Sequence, residues 1–326
     1  MRLFQHRVGR AIAPAVVAIV ACVGGAALAD AYPSKPIKMV VPFPPGGGFD
    51  AIARPFAEKL GGALGQAVVV ENRAGAGGNI GAESVVRSAA DGYTLLFGND
   101  NLATNPNVYR NIKYDPLKDF VPLGMVATIP IAIAVNPNVK AATLPELLAL
   151  SRTTPLNYGT PGIGTSPHLL AEMVSFSNKA KFVHIPYRGT GLAITDAIGG
   201  QIDMVVAPAS AVAPHIRSGK LRGVVVLSAE RSPLLPNLPA VPETGLTGME
   251  YDIWYALFAP AGTPEPVVRK LRDASRAAIA QPGFAENLRE LGIQVKPGQT
   301  TDITELLKTD LARWKAVVDR TSIVAD

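Results

Sequence analysis

The apolar run Ile37 to Val41 breaks into PFPPGGGFD, Pro42 to Asp50, and a helical pattern follows at once. A strand that turns on three glycines and opens directly into a helix restricts the chain to folds with a backbone turn at a helix N-terminus. Pro44 and Pro45 stiffen the entry, while Gly46, Gly47 and Gly48 let backbone approach a ligand closely. Unpaired N–H groups at such an end, backed by the helix dipole, suit a small anion. Phe49 and Asp50 complete the unit. Asp50 has two compatible readings: an N-cap or first-turn carboxylate that satisfies helix N–H groups, or a ligand residue holding a water or a cationic group.

The same alternation continues along the chain, which indicates an α/β fold. Strands are expected at Ile37–Phe43, Ala67–Glu71, Thr94–Phe97, Val121–Val126, Ile131–Val135, Leu156–Tyr158, Phe182–Ile185, Met204–Ala207, Val224–Leu227 and Leu257–Ala259. Helices are expected between them. One spans Ala51 to Leu64, and one starts at the capping box Thr143-Leu-Pro-Glu146. Another runs from Thr190 to a Gly199-Gly200 stop. Two C-terminal amphipathic stripes, through Val267, Val268 and Leu271 and through Ile303, Leu307 and Trp314, read as core-facing helices.

Residues 1–29 read as a cleaved secretion signal. Arg2, Arg7 and Arg10 precede an apolar run, and Ala27-Leu28-Ala29 fits the cleavage rule. A membrane anchor and a lipoprotein signal with a lipid on Cys22 are the rival readings. Cleavage would remove Cys22, the sole cysteine, so the remainder has no disulfide. It would also leave 28 Lys and Arg against 26 Asp and Glu. That balance argues against a nucleic-acid or membrane-surface partner. The length beyond residue 29 favours two domains.

Three further constellations sit at strand ends. YGTPGIGTSPHL, Tyr158 to Leu170, offers Thr160, Gly164, Thr165 and Ser166 at a second helix start, with Thr165 or Ser166 as N-cap. His168 lies just inside that helix and reads as a packed residue more readily than as a catalyst. HIPYRGTG, His184 to Gly191, presents Tyr187 and Arg188, whose guanidinium could fork onto a carboxylate or simply be solvated. Gly98, Asn99, Asp100 and Asn101 follow a strand at the position where open α/β sheets hold ligands, although they also suit a plain turn. Enzyme signatures are weak: there is no Gly-x-Ser-x-Gly, no Walker A and no His-Glu-x-x-His. Gly75 to Gly81 departs from dinucleotide-loop spacing and reads as structural. No cofactor and no metal are expected.

The segments YPSKPIKMVVPFPPGGGFDAIAR (32–54), LGQAVVVENRAGAGGNIGAE (64–83), ADGYTLLFGN (90–99), NPNVYRNIKYDPLKDFVPL (105–123), HIPYRGTG, IGGQIDM (198–204), SGKLRGVVV (218–226) and FAPAGTPEPVV (258–268) together resemble the Bug family. These are the extracytoplasmic substrate-binding proteins of tripartite tricarboxylate transporters. The resemblance implies a two-domain periplasmic binding protein of Venus-flytrap architecture with a ligand cleft between its domains. Its expected division is 30–131 with 254–326, and 132–253. It implies a carboxylate ligand facing Gly46–Asp50, Asn99 and Asp100, Thr160–Ser166 and the loop after Tyr187. Where family members often carry an aspartate, this chain has Ala207, followed by Pro208, Ala209 and Ser210, which removes a partner for a ligand ammonium. A dicarboxylic or aromatic acid without an amine is therefore expected.

The function expected from the sequence is capture of that acid by a monomeric periplasmic protein, which delivers it to membrane permease subunits. A secreted hydrolase or isomerase using His168, Ser166 or Asp50 is the alternative. A sensor subunit that presents the bound state to a receptor is a third reading.

Overall fold

The structure, a computed structural model, describes residues 32–295 and 302–325. The expected signal and Cys22 lie outside the described residues. Nine strands form one sheet in the order β2-β1-β3-β9-β4-β7-β5-β6, with β8 also paired to β4. The strands are β1 (Ile37–Val41), β2 (Val68–Asn72), β3 (Thr94–Asn99), β4 (Phe120–Val135), β5 (Leu156–Thr160), β6 (Phe182–Pro186), β7 (Met204–Pro208), β8 (Arg222–Val226) and β9 (Asp252–Pro260). The helices are α1 (Asp50–Leu64), α2 (Asn79–Val86), α3 (Asn101–Val108), α4 (Leu144–Thr153), α5 (Ser166–Ser177), α6 (Thr190–Gly199), α7 (Ala209–Arg217), α8 (Glu265–Ile279), α9 (Phe284–Glu290) and α10 (Ile303–Thr321).

β1, β2 and β3 are parallel, and so are β5, β6 and β7. β4 serves both groups. Its first part pairs with β9 from Phe120 to Pro130, and its last part, from Ile131, pairs with β7 and β8. The sequence suggests two separate strands here, because Pro122 and Pro130 lack ladder donors. The observed strand is continuous for a physical reason. A register shift beside Pro122 absorbs the first proline, and Pro130 falls where the ladder passes from β9 to its next partners.

Burial follows the sequence stripes. Ile37, Met39, Ile52, Phe56, Leu60, Leu95 and Phe97 are fully buried under the first strand group, where α8 packs through Val268 and Leu271. A smaller core of Ala193, Ala197, Ile202, Val205 and Val212 lies beneath α6 and α7. The capping box at α4 forms as expected: Thr143 Oγ1 accepts from Glu146 N–H at 3.3 Å, and the Glu146 carboxylate accepts from Thr143 N–H. The Gly75–Gly81 segment packs against its neighbours. A side chain at Gly81 would begin 2.7 Å from Pro42 Cβ and 2.8 Å from the Arg73 carbonyl.

Candidate ligand-binding site

The sheet register sets the location. β3 ends at Asn99, opposite Tyr255, and Tyr255 stands opposite Ala127 of β4. β7 ends at Pro208, opposite Ile131 of β4. The two strand groups therefore run toward the same stretch of β4 from opposite directions, with Ala127 and Ile131 about 13 Å apart along it. Their carboxyl ends carry the loops named from the sequence.

On the first group, Gly46, Gly47 and Gly48 are exposed, and a side chain at Gly46 or Gly48 would meet open space. Asp50 does not cap the helix. It is the first helical residue, buried, and its carboxylate accepts from Gly46 N–H at 2.9 Å, Arg54 Nε at 2.8 Å and Asn72 Nδ2 at 3.0 Å. Burial acts to raise its pKa, but hydrogen bonds from Asn72, Gly46 and Arg54 outweigh it and hold the carboxyl below its ordinary range. Asp50 thus clamps the turn, and Gly46 N–H is used internally. The N–H groups of Gly47, Gly48, Phe49 and Asp50 have no acceptor among the described residues. Phe49 is packed inward, stacked on Phe43 at 4.8 Å and edge-on to Phe97 and Tyr255. Its ring supports the turn from below.

At the end of β3, Asn99 Nδ2 donates to Asp100 Oδ1 at 2.9 Å. Asp100 is 1% exposed. Burial pushes its carboxyl up to about 7, opposed by hydrogen bonds from Ser166 and Tyr251 and reinforced by the nearby Asp310. Tyr251 lies between the two acids, 3.4 Å from Asp100 Oδ2 and 3.1 Å from Asp310 Oδ2, and Trp254 Nε1 donates to Asp310 at 2.8 Å. Burial also raises the Asp310 carboxyl. One tyrosine O–H cannot donate to two carboxylates at once, so this arrangement favours a proton held on the pair.

The two strand groups touch at Gly164, which packs closely against α3: a side chain there would begin 2.4 Å from Val108 Cγ1. The expectation of a hydroxyl cap on α5 is corrected. Thr165 occupies the N-cap position without a side-chain cap, and its hydroxyl donates to the Gly162 carbonyl at 2.9 Å. α1, α6 and α7 likewise start without a side-chain cap, whereas α4 and α10 are capped. α8 and α9 are also uncapped, so an open start is not by itself a mark of this edge.

His168 is buried, and its Nδ1 accepts from Gly164 N–H at 3.0 Å. Its ring stacks on His184, whose Nε2 lies 2.7 Å from Thr160 Oγ1. Burial holds both imidazoles neutral, with His168 lowered to about 3 and His184 to about 4. The Tyr187 hydroxyl donates to Asp196 at 2.7 Å, and burial raises it to about 12. Tyr187 N–H reaches the Thr160 carbonyl and Gly189 N–H the Pro161 carbonyl, which ties the two loops together. Arg188 is exposed, with no acidic partner among the described residues. Pro208 is half-buried at the start of α7, and the Ser210 Cβ lies 3.5 Å from where a Gly292 side chain would begin.

Residues 52–323 match the family described as the tripartite tricarboxylate transporter family receptor. The chain belongs to that receptor family. The solved periplasmic binding protein BugD is 34% identical, with a TM-score of 0.77 over 90% of this chain and 100% of its own. Rpa4515 of R. palustris, solved with adipate, is 32% identical with a TM-score of 0.78 over 90% and 99%. MatC of Rhodopseudomonas palustris, solved with bound malate, is 30% identical with a TM-score of 0.75 over 88% and 100%.

This receptor therefore has the α/β periplasmic-binding-protein fold, and the family is one of binding proteins, not enzymes. Several contributors carry no local signal in the sequence. Asn72, His184, Tyr251 and Asp310 act only through partners distant along the chain.

Proposed function

We propose that this receptor captures a small carboxylic acid, a dicarboxylate or an aromatic acid, in a cleft between two lobes and presents the closed form to membrane permease subunits. The lobes are residues 30–131 with 254–326, and 132–253. Residues 1–29 direct the chain to the periplasm, where it acts as a monomer. The observation that carries this reading is that β3 and β7 end facing each other along β4, at the levels of Ala127 and Ile131, with Gly164 of one strand group packed on Val108 of the other. Relatives solved with adipate and malate support the ligand class.

Carboxylate oxygens would take the N–H groups of Gly47, Gly48, Phe49 and Asp50 on one lobe. Those at the start of α5, together with Arg188, would serve on the other. Moving from mostly open to mostly closed requires the ligand to favour closure by about 5.5 kcal/mol. Two or three charge-assisted hydrogen bonds of about 1.5–3 kcal/mol each are enough. Calorimetry with adipate, malate, benzoate and an amino acid is the test. Saturable binding of the acids with a change in Trp254 fluorescence, read in a W314F background, is the expected result. Binding of none of the acids, or turnover of any of them, rejects it.

A further inference from the structure

A cavity of 660 Å³ opens at the other end of the second strand group. Arg222, one of its lining residues, pairs with Val135, which also faces Met204, the first residue of β7. The hollow thus lies at the amino-terminal edge of the parallel strands, away from the carboxyl-terminal edge where Thr160–Ser166 sits. We propose that it is a second ligand site that takes an amphipathic organic anion, an apolar chain or ring ending in a carboxylate.

The lining carries both halves of that chemistry. Ile216, Leu221, Leu235 and Leu238 supply apolar wall, Arg217 and Arg222 supply charge, and no Asp or Glu is among the lining residues. Arg222 Nη2 donates to the carbonyls of Pro137 at 2.7 Å and Val139 at 2.6 Å. Those neutral acceptors fix the guanidinium without cancelling its charge. Neither arginine has an acidic partner within ion-pair distance among the described residues. A held guanidinium on an apolar floor favours a carboxylate with a hydrocarbon body over a polar acid or a cation.

The hollow is built in advance. Leu234 fills the space that a Gly292 side chain would need, its Cδ1 2.1 Å from where that side chain would begin, at a backbone φ of +71°. Leu238 similarly covers Gly223, where a side chain would begin 2.8 Å from Leu238 Cδ1. The proline-rich wall from Ser232 to Leu238 is therefore keyed at two glycines. A volume in the range of about 300–1,000 Å³ with few convergent polar groups is typical of a small-molecule site.

Calorimetry of the full chain with sodium octanoate, and with octan-1-ol as its neutral counterpart, tests the proposal. Saturable octanoate binding near one equivalent is expected, with octanol at least tenfold weaker through loss of the charge-assisted bond. R222Q and R217Q should each weaken octanoate several-fold; R217Q changes an exposed residue and keeps the test open if R222Q does not fold. L238D should abolish binding. No saturable binding of octanoate, equal affinity for octanol, or affinity unchanged in R217Q and L238D would overturn it.

Discussion

The imidazole rings of His168 and His184 stack face to face, with centroids 3.6 Å apart and planes within 16° of parallel. One ring receives Gly164 N–H and the other meets Thr160 Oγ1, so the pair shapes the turn between β5 and α5 from beneath. Such stacking requires both rings to be neutral, because two imidazolium ions at this distance would repel without solvent to screen them.

That requirement sets a pH dependence. The folded pKa values lie near 3 and 4, while an unfolded histidine titrates near 6.5. Between those limits the unfolded chain binds more protons, so the contribution is complete above about pH 6.5 and is lost as pH falls toward 4 and below. Denaturant titrations at pH 7.5, 5.5 and 4.5 should show stability falling with acidification, and falling less in H184Q. Identical slopes in the two proteins would contradict this.

Asp100 has the opposite sign. Its folded pKa is raised to about 7, so the folded state holds a proton that the unfolded state loses near 3.9. Its contribution is full at low pH and declines as pH rises from about 4 through 7. D100N, which keeps a hydrogen-bonding group but no charge, should gain stability relative to the parent at pH 8 and lose that advantage at pH 5. A difference independent of pH would show that the carboxyl does not titrate in this range.

Gly164 should be sensitive to a single methyl group. In G164A the new carbon meets Val108, and the residue must hold a φ of +73°. Because the clash is made between the two strand groups, it would oppose the proposed closure: affinity for adipate, used as the probe acid, should fall about tenfold, the equivalent of 1.4 kcal/mol. V108A should restore part of the loss, since it removes the opposing methyl groups. An unchanged affinity in G164A would separate this contact from ligand capture.

D50A removes the acceptor that closes the glycine turn and leaves Arg54 and Gly46 N–H without their partner. Stability should drop by about 1–3 kcal/mol, the range for breaking a buried charged hydrogen-bond set. Adipate affinity should drop with it, and D50N should recover part of both. Thermal melts with and without adipate read the two effects separately.

Much of this arrangement was legible in the sequence because it is written locally. The Thr143–Glu146 box, the Val267–Leu271 stripe and the strand that ends at Val41 before the glycine turn each depend on neighbours in the chain. The remainder is not local. Asp310 occupies a polar-looking position on an amphipathic helix, yet it is buried against Trp254 and Tyr251, more than fifty residues away. Asp50 looked like a cap, but its partners are fixed by the approach of Asn72 from the adjacent strand. Gly164 reads as a glycine of the turn before a helix, and only the meeting of the two strand groups sets Val108 against it.

The uninterrupted strand from Phe120 to Val135 also has a mechanical meaning. Neither strand group owns all of its ladder, since each borrows part of the same strand. Melting one group would strip hydrogen bonds from a segment whose remainder is still held by the other. Heating or denaturant should therefore dismantle the molecule in one concerted step, and a ligand held at the carboxyl ends would protect amides in both groups together.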